Sequence, residues 1–114
     1  MALIVALVGD DKTDQVIDVA RAGGATGATI ISSVRGEGLK PSRTFLGMGL
    51  TAKRDVLLFL VAEPRAREIL EHIAAACGMD RESGAGVAFQ LAIEDVVGLE
   101  SQLPTLKEEL EEAL

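Results

Sequence analysis

Two glycine-rich stretches hold most of the residues that could do chemistry in this chain, and the chemistry they point to is binding rather than turnover. Residues 36–53, GEGLKPSRTFLGMGLTAK, contain Gly36, Gly38, Gly47, Gly49 and Pro41, which break helix and strand alike, and the stretch closes on Lys53. Residues 78–86, GMDRESGAG, form the second. A loop as long as the first is in most compact domains either functional or disordered, the alternative being an ordinary hairpin whose strands run on. Conventional catalytic groups are scarce. His72 is the sole histidine and falls off the apolar stripe of its helix, so it reads as a solvated surface residue. Cys77 lies on that stripe, where a thiol behaves as a small hydrophobe. With no His–Cys pairing and no second cysteine, nucleophilic and zinc chemistry lack partners.

Composition narrows the ligands. The 114 residues are 48% apolar but include three Phe and no Trp or Tyr, so the core is built from Val, Ile, Leu and Ala. Aromatic stacking on bases is poorly supplied, and a net charge of −7 repels phosphate backbones, which argues against a nucleic-acid partner. An anionic ligand would need local backbone amides or a few placed cations. One cysteine excludes an intramolecular disulfide and suits a reducing cytoplasm. The opening MALIVALVG lacks a basic start and reaches Asp10 and Asp11 too soon for a signal peptide or a spanning helix, so no membrane insertion is expected.

The elements that must position the two loops follow from periodicity. Residues 2–8 are an unbroken apolar run, as in a strand buried on both faces. Asp10, Asp11 and Thr13 offer starting oxygens for a helix to about Ala22 with Val16, Ile17 and Ala20 inward, and Gly23 and Gly24 end it. Residues 26–34 read as the second strand, 55–62 as the third and 87–93 as the fourth. Between the last two, Pro64 opens a helix that presents Ile69, Leu70, Ile73, Ala74 and Cys77 on one stripe and stops at Gly78. Residues 104–114 read as a short acidic helical tail with Glu108, Glu109, Glu111 and Glu112 on a solvated face. The order is βαββαβ, an α+β ferredoxin-like sandwich: a four-stranded antiparallel sheet with two helices on one face. Its other face is also apolar, and a patch of that size implies self-association.

At this point the residues resemble a family. The run AGGATGATIISSVRGEG over 22–38, the long loop returning at Lys53, and SGAGVAFQLAIEDVVGL over 83–99 are similar to the PII signal-transduction proteins and their PII-like relatives, across nearly the whole chain. The resemblance implies one domain over 1–101, with a T-loop at about 36–53 and a B-loop at about 78–86, followed by the tail at 102–114. It implies a homotrimer with sheets facing inward and three adenine-nucleotide sites in the clefts between subunits, for ADP, AMP or ATP, with a small carboxylate or bicarbonate as a further ligand. It also implies that the T-loop docks on a regulated target protein, such as a metabolic enzyme or the cytoplasmic face of a membrane transporter. Carried over by position, Thr29 lies beside the adenine, Gly36, Glu37 and Gly38 form the base of the T-loop, and Lys53 is its return. Ser83, Gly84, Ala85 and Gly86 match the family's phosphate-cradling B-loop, where glycines let backbone N–H groups form an anion-binding concavity; by itself the glycine cluster reads equally as a plain tight turn.

The departures from the family pattern bear on the ligand. Val87 stands where the family places a phosphate-binding lysine, and residues 99–101 lack two arginines that the family lends from a neighbouring subunit. Each charge-assisted contact is worth roughly 1.5 to 3 kcal/mol, so triphosphate affinity should fall by several powers of ten unless Arg21, Arg35, Arg43, Arg54 or Arg81 substitutes. Residues 30–35 are one longer than the common pattern. The loop has no tyrosine to modify. Two readings compete on the same fold: a trimeric structural or metal-binding protein of the CutA kind, and an acylphosphatase-type hydrolase. The hydrolase needs an asparagine to place water, and the chain has none.

Overall fold

The structure is a computed structural model and describes residues 1–35, 44–45, 48–49, 53–82 and 84–98. Its first strand, β1 (Ala2–Gly9), buries Ala2, Ile4, Ala6 and Val8 and leaves Leu3, Val5 and Leu7 half-covered. Helix α1 (Thr13–Ala22) follows after a tight turn in which Lys12 N–H donates to the Gly9 carbonyl at 3.0 Å. Strand β2 (Thr29–Val34) starts three residues later than the sequence reading had it. Within the long loop, Thr44–Phe45 (β3) and Met48–Gly49 (β4) pair as a two-stranded hairpin, with Thr44 opposite Gly49 and Phe45 opposite Met48. Strand β5 (Arg54–Val61), helix α2 (Glu63–Cys77) and strand β6 (Val87–Ala92) complete the order. The tail at 102–114 lies outside the described residues.

The main sheet runs β2-β5-β1-β6, and every pairing is antiparallel. Both helices pack on the face that carries Ile4, Val8, Leu57 and Phe59, closing the core with Val16, Ala20, Ile69 and Ile73. This is the expected ferredoxin-like βαββαβ sandwich. A strand's side chains alternate between faces, so the residues paired with Leu3, Val5 and Leu7 lie on the other side: Leu60, Leu58 and Val56 from β5, Leu91, Phe89 and Val87 from β6. No described element covers them. Phe89 and Leu91 are 44% and 49% exposed, so the chain by itself leaves a contiguous apolar face in water.

Three local expectations change. Lys12, not an aspartate, occupies the N-cap of α1 and makes no side-chain cap bond. The Thr13 hydroxyl is used elsewhere, donating to Asp55 Oδ2 at 2.6 Å in the buried layer between α1 and β5. Pro64 falls second in α2, because Glu63 is already helical; its missing N–H still costs nothing in the first turn. The C-terminus of α2 is as expected: Gly78 is left-handed (φ 65°), and Met79 N–H and Gly78 N–H donate to the Ala74 and Ala75 carbonyls, at 3.0 and 3.4 Å.

Candidate functional site

The base of the long loop is fixed by strand register. Val34 pairs with Arg54, so the strands on both sides of residues 36–53 stand side by side at one end of the sheet. From Ile31 to Val34 β2 advances three residues while β5 advances two, from Val56 to Arg54. The residue in excess is a β-bulge, and Ser33 takes φ 58° there, the positive-φ non-glycine position among the described residues. Arg35 follows β2 directly and stands at the loop's entrance.

Lys53 lies at the same end. It is exposed, and its carbonyl accepts the Asp10 N–H at 3.1 Å, which joins the loop's return to the end of β1. On the far side of β1 comes the glycine turn. Gly84 has φ 79° and Gly86 φ 122°, Ala85 is buried, and Ala85 N–H donates to the Glu82 carbonyl at 3.3 Å. Gly86 presses on β1 so closely that a Cβ there would lie 2.6 Å from the Leu7 carbonyl oxygen and 2.9 Å from Val8 Cγ1. Lys53 and residues 84–86 thus flank the end of β1, one on the β5 side and the other on the β6 side. Gly36, Glu37, Gly38 and Ser83 lie outside the described residues.

Thr29 is placed apart from this group. It is exposed on the edge strand β2, in the row Thr29–Leu58–Val5–Phe89 that crosses the whole sheet. Three strand spacings of about 4.8 Å separate it from β6, roughly 14 Å. Gly86 is a further three residues along, roughly 10 Å at 3.4 Å per residue. Within one chain Thr29 and the glycine turn do not meet.

The cations are distributed unevenly. Arg54 is fully buried at the start of β5, and Arg35 is exposed at the loop's entrance. Arg81 donates to the Ala75 carbonyl at 3.3 Å, and Arg21 stands at the other end of the fold, 3.8 Å from Asp18. Arg43 lies outside the described residues. The sequence reading missed Lys12, whose Nζ donates to the Cys77 carbonyl at 3.4 Å and stands 4.0 Å from Glu82 Oε2, so it reaches the 78–86 loop from α1. Its partner Cys77 lies 65 residues away in the chain, so no local pattern marks it. A groove of about 430 Å³ runs beside Gly86, between Leu70, Ala74 and Met79 of the helix side and Val87 and Ala88 of the β6 edge.

His72 is exposed, as read from its spacing. Burial pushes the Cys77 thiol up from its usual range, and the pull of Lys12 the other way is the smaller effect. A thiol held protonated is a poor nucleophile and a poor metal ligand. Among the described residues no group of three His, Cys, Asp or Glu side chains could hold a metal ion, and no helix is long and apolar enough to cross a membrane.

This frame, a ferredoxin-like sheet with a long loop at one end and a glycine turn beside its return, matches a known family pattern. Residues 1–103 match the family described as nitrogen regulatory protein P-II. The chain belongs to the P-II family. Among solved structures it is similar to CPII from Thiomonas intermedia K12, solved bound to ADP, AMP and acetate, with a TM-score of 0.61 and 18% identity. That match covers 82% of this chain and 88% of CPII, and it supports the P-II fold. No curated protein matches the chain.

Proposed function

We propose that this P-II chain is a non-catalytic, cytoplasmic signalling protein that assembles as a homotrimer. It binds an adenine nucleotide between neighbouring copies and acts on a target protein through residues 36–53. The observation that carries this reading is the division of the candidate residues between the two edges of the sheet. Thr29 on the β2 edge and residues 84–86 beside the β6 edge cannot share a ligand within one chain. Copies placed side by side bring the β2 edge of one against the β6 edge of the next. Such a contact joins two different surfaces, and head-to-tail contacts that close make rings. The offset of roughly 10 Å along the strands suits a ligand with a base at one end and phosphates at the other.

Two further observations support the reading. The apolar open face gives each copy a reason to associate, since burying each Val, Leu or Ile is worth roughly 1.5 to 3 kcal/mol. The bound ADP and AMP of CPII support the ligand class, and its acetate supports a small carboxylate or bicarbonate as a second ligand. Val87, in place of a lysine, favours a mono- or diphosphate over a triphosphate. The target is a membrane transporter, met at its cytoplasmic face, or a metabolic enzyme. Gly36, Glu37, Gly38, Lys53 and Ser83 complete the cleft in this reading, and docking falls to the apolar Phe45, Leu46, Met48 and Leu50 of the loop.

A cleft built from two chains can be tested by mixing. Thr29→Asp damages the half on the β2 edge and Lys53→Glu the half beside the glycine turn, both at exposed positions. Each variant alone should bind ADP roughly tenfold to a hundredfold more weakly, the loss of one charge-assisted contact or the gain of a like charge. Refolded together, the two should regain tight sites, because some clefts then combine two undamaged halves. A mixture that binds no better than its separate components would refute the shared cleft.

A further inference from the structure

The helix layer stops short of β2. Ile30 pairs with the buried Leu57 and so lies on the helix-facing side, yet it is 44% exposed. Beside it, α1 and the segment entering β2 form a cleft of about 360 Å³ lined by Ile17, Arg21, Ala25, Thr26, Ala28 and Phe59 among others. At the opposite edge of the sheet, the chain leaves β6 through Glu94 and Asp95 and then shows two apolar side chains to water: Val96 is 46% exposed and Val97 95%. A valine that open has no described neighbour to pack on, and nothing in a solvated turn requires two in succession.

The two features share a level. Ala2 pairs with both Val61 and Ala92, and Ile93 N–H donates to the Met1 carbonyl at 3.3 Å, so residues 94–97 lie at the end of the sheet where β1 begins. Residues 25–28 enter β2 at that same end, because Thr29 already pairs with Leu58 and Phe59 lines the cleft. Rotation about an axis running along the strands keeps every level where it is. In a ring of side-by-side copies, the segment after β6 of one chain therefore arrives at the cleft beside β2 of the next.

We propose that Val96 and Val97 of each copy seat in the cleft beside β2 of its neighbour, with Asp95 facing Arg21. The inference rests on the ring reading above and adds the contact that holds it closed. Charge selects this cleft over the groove beside β6. Arg21 is largely exposed and its partner Asp18 is 3.8 Å away, so it can turn to a new carboxylate. The β6 groove instead has Asp80 on its lining and an Arg67 already engaged by Glu71 at 2.8 Å, and it would repel Glu94 and Asp95. An apolar pair led in by acids fits a cleft whose lining joins Ile17, Ala25, Ala28 and Phe59 to the guanidinium of Arg21.

The test is assembly size against protein concentration, by sedimentation without nucleotide. Val97→Glu changes a side chain that is almost wholly in water, so the monomer fold is kept, and the concentration for half-assembly should rise by at least about tenfold. Arg21→Glu and Asp95→Arg should each weaken assembly by about tenfold, and the double variant should recover most of the loss, because the pair is restored with its charges exchanged. If Val97→Glu assembles like the unaltered protein, or the double variant is no better than either single one, the contact is not there. If Val97→Glu assembles normally while Leu58→Glu on the open face does not, this contact fails and the ring stands. An unaltered protein that stays monomeric throughout would overturn both.

Discussion

Leu58→Glu should convert the assembled protein into a folded monomer. Leu58 stands in the row Thr29–Leu58–Val5–Phe89, in the middle of the face that the helices leave uncovered. Around it are Leu3, Leu7, Val56, Leu60 and Leu91, paired across the strands on the same side. In an assembly that buries this face the substitution removes roughly 1.5 to 3 kcal/mol of burial per copy. It also brings in a carboxylate whose removal from water costs several kcal/mol more. In the isolated chain the same position is half-open to water, so the fold loses little. Light scattering should report the mass of one 11.9 kDa chain with an unchanged far-ultraviolet spectrum. A variant that remains assembled would show that this face is not the interface.

Gly86→Ala should be the most damaging exchange in the glycine turn. Its φ of 122° is a conformation that side chains with a Cβ rarely take, and holding one there costs roughly 1 to 3 kcal/mol. The new carbon would also lie 2.6 Å from the Leu7 carbonyl oxygen, a backbone atom locked in the sheet between β5 and β6, and relieving such a contact costs roughly another 1 to 3 kcal/mol. At about 4 to 8 °C per kcal/mol for a domain near this size, the melting temperature should fall by more than about 10 °C. Gly27→Ala is the control: nothing lies within 4 Å of its Cβ position, and its melting temperature should hold within a few degrees. Equal effects at the two positions would mean that Gly86 is not pressed against β1.

What the sequence revealed of this fold is what depends on local pattern. The apolar runs of β1 and β5, the stripe Ile69–Ile73–Cys77 and the stop at Gly78 each express one element's own period or terminator, and each is found where the residues put it. What escaped depends on pairs far apart in the chain. Thr13 reads as a helix-starting residue until β5 brings Asp55 to its hydroxyl, 42 residues away. The irregularity around Ser33 has no local signal, because a bulge is defined only by the pairing of β2 with β5. Arg54 counted among the arginines that could stand in for the missing cations, and its complete burial shows only once β5 is placed as an inner strand. The candidate site was legible as residue types. Its division between two sheet edges was not, because strand order is a property of the assembled sheet.

The most direct measurement is calorimetry of the assembled protein with AMP, ADP and ATP in turn. If the clefts between copies are nucleotide sites short of cations for a third phosphate, AMP or ADP should bind with one site per chain and at least as tightly as ATP. Binding of none of the three would contradict the proposed function itself, and ATP binding far more tightly than the other two would contradict the role given to Val87.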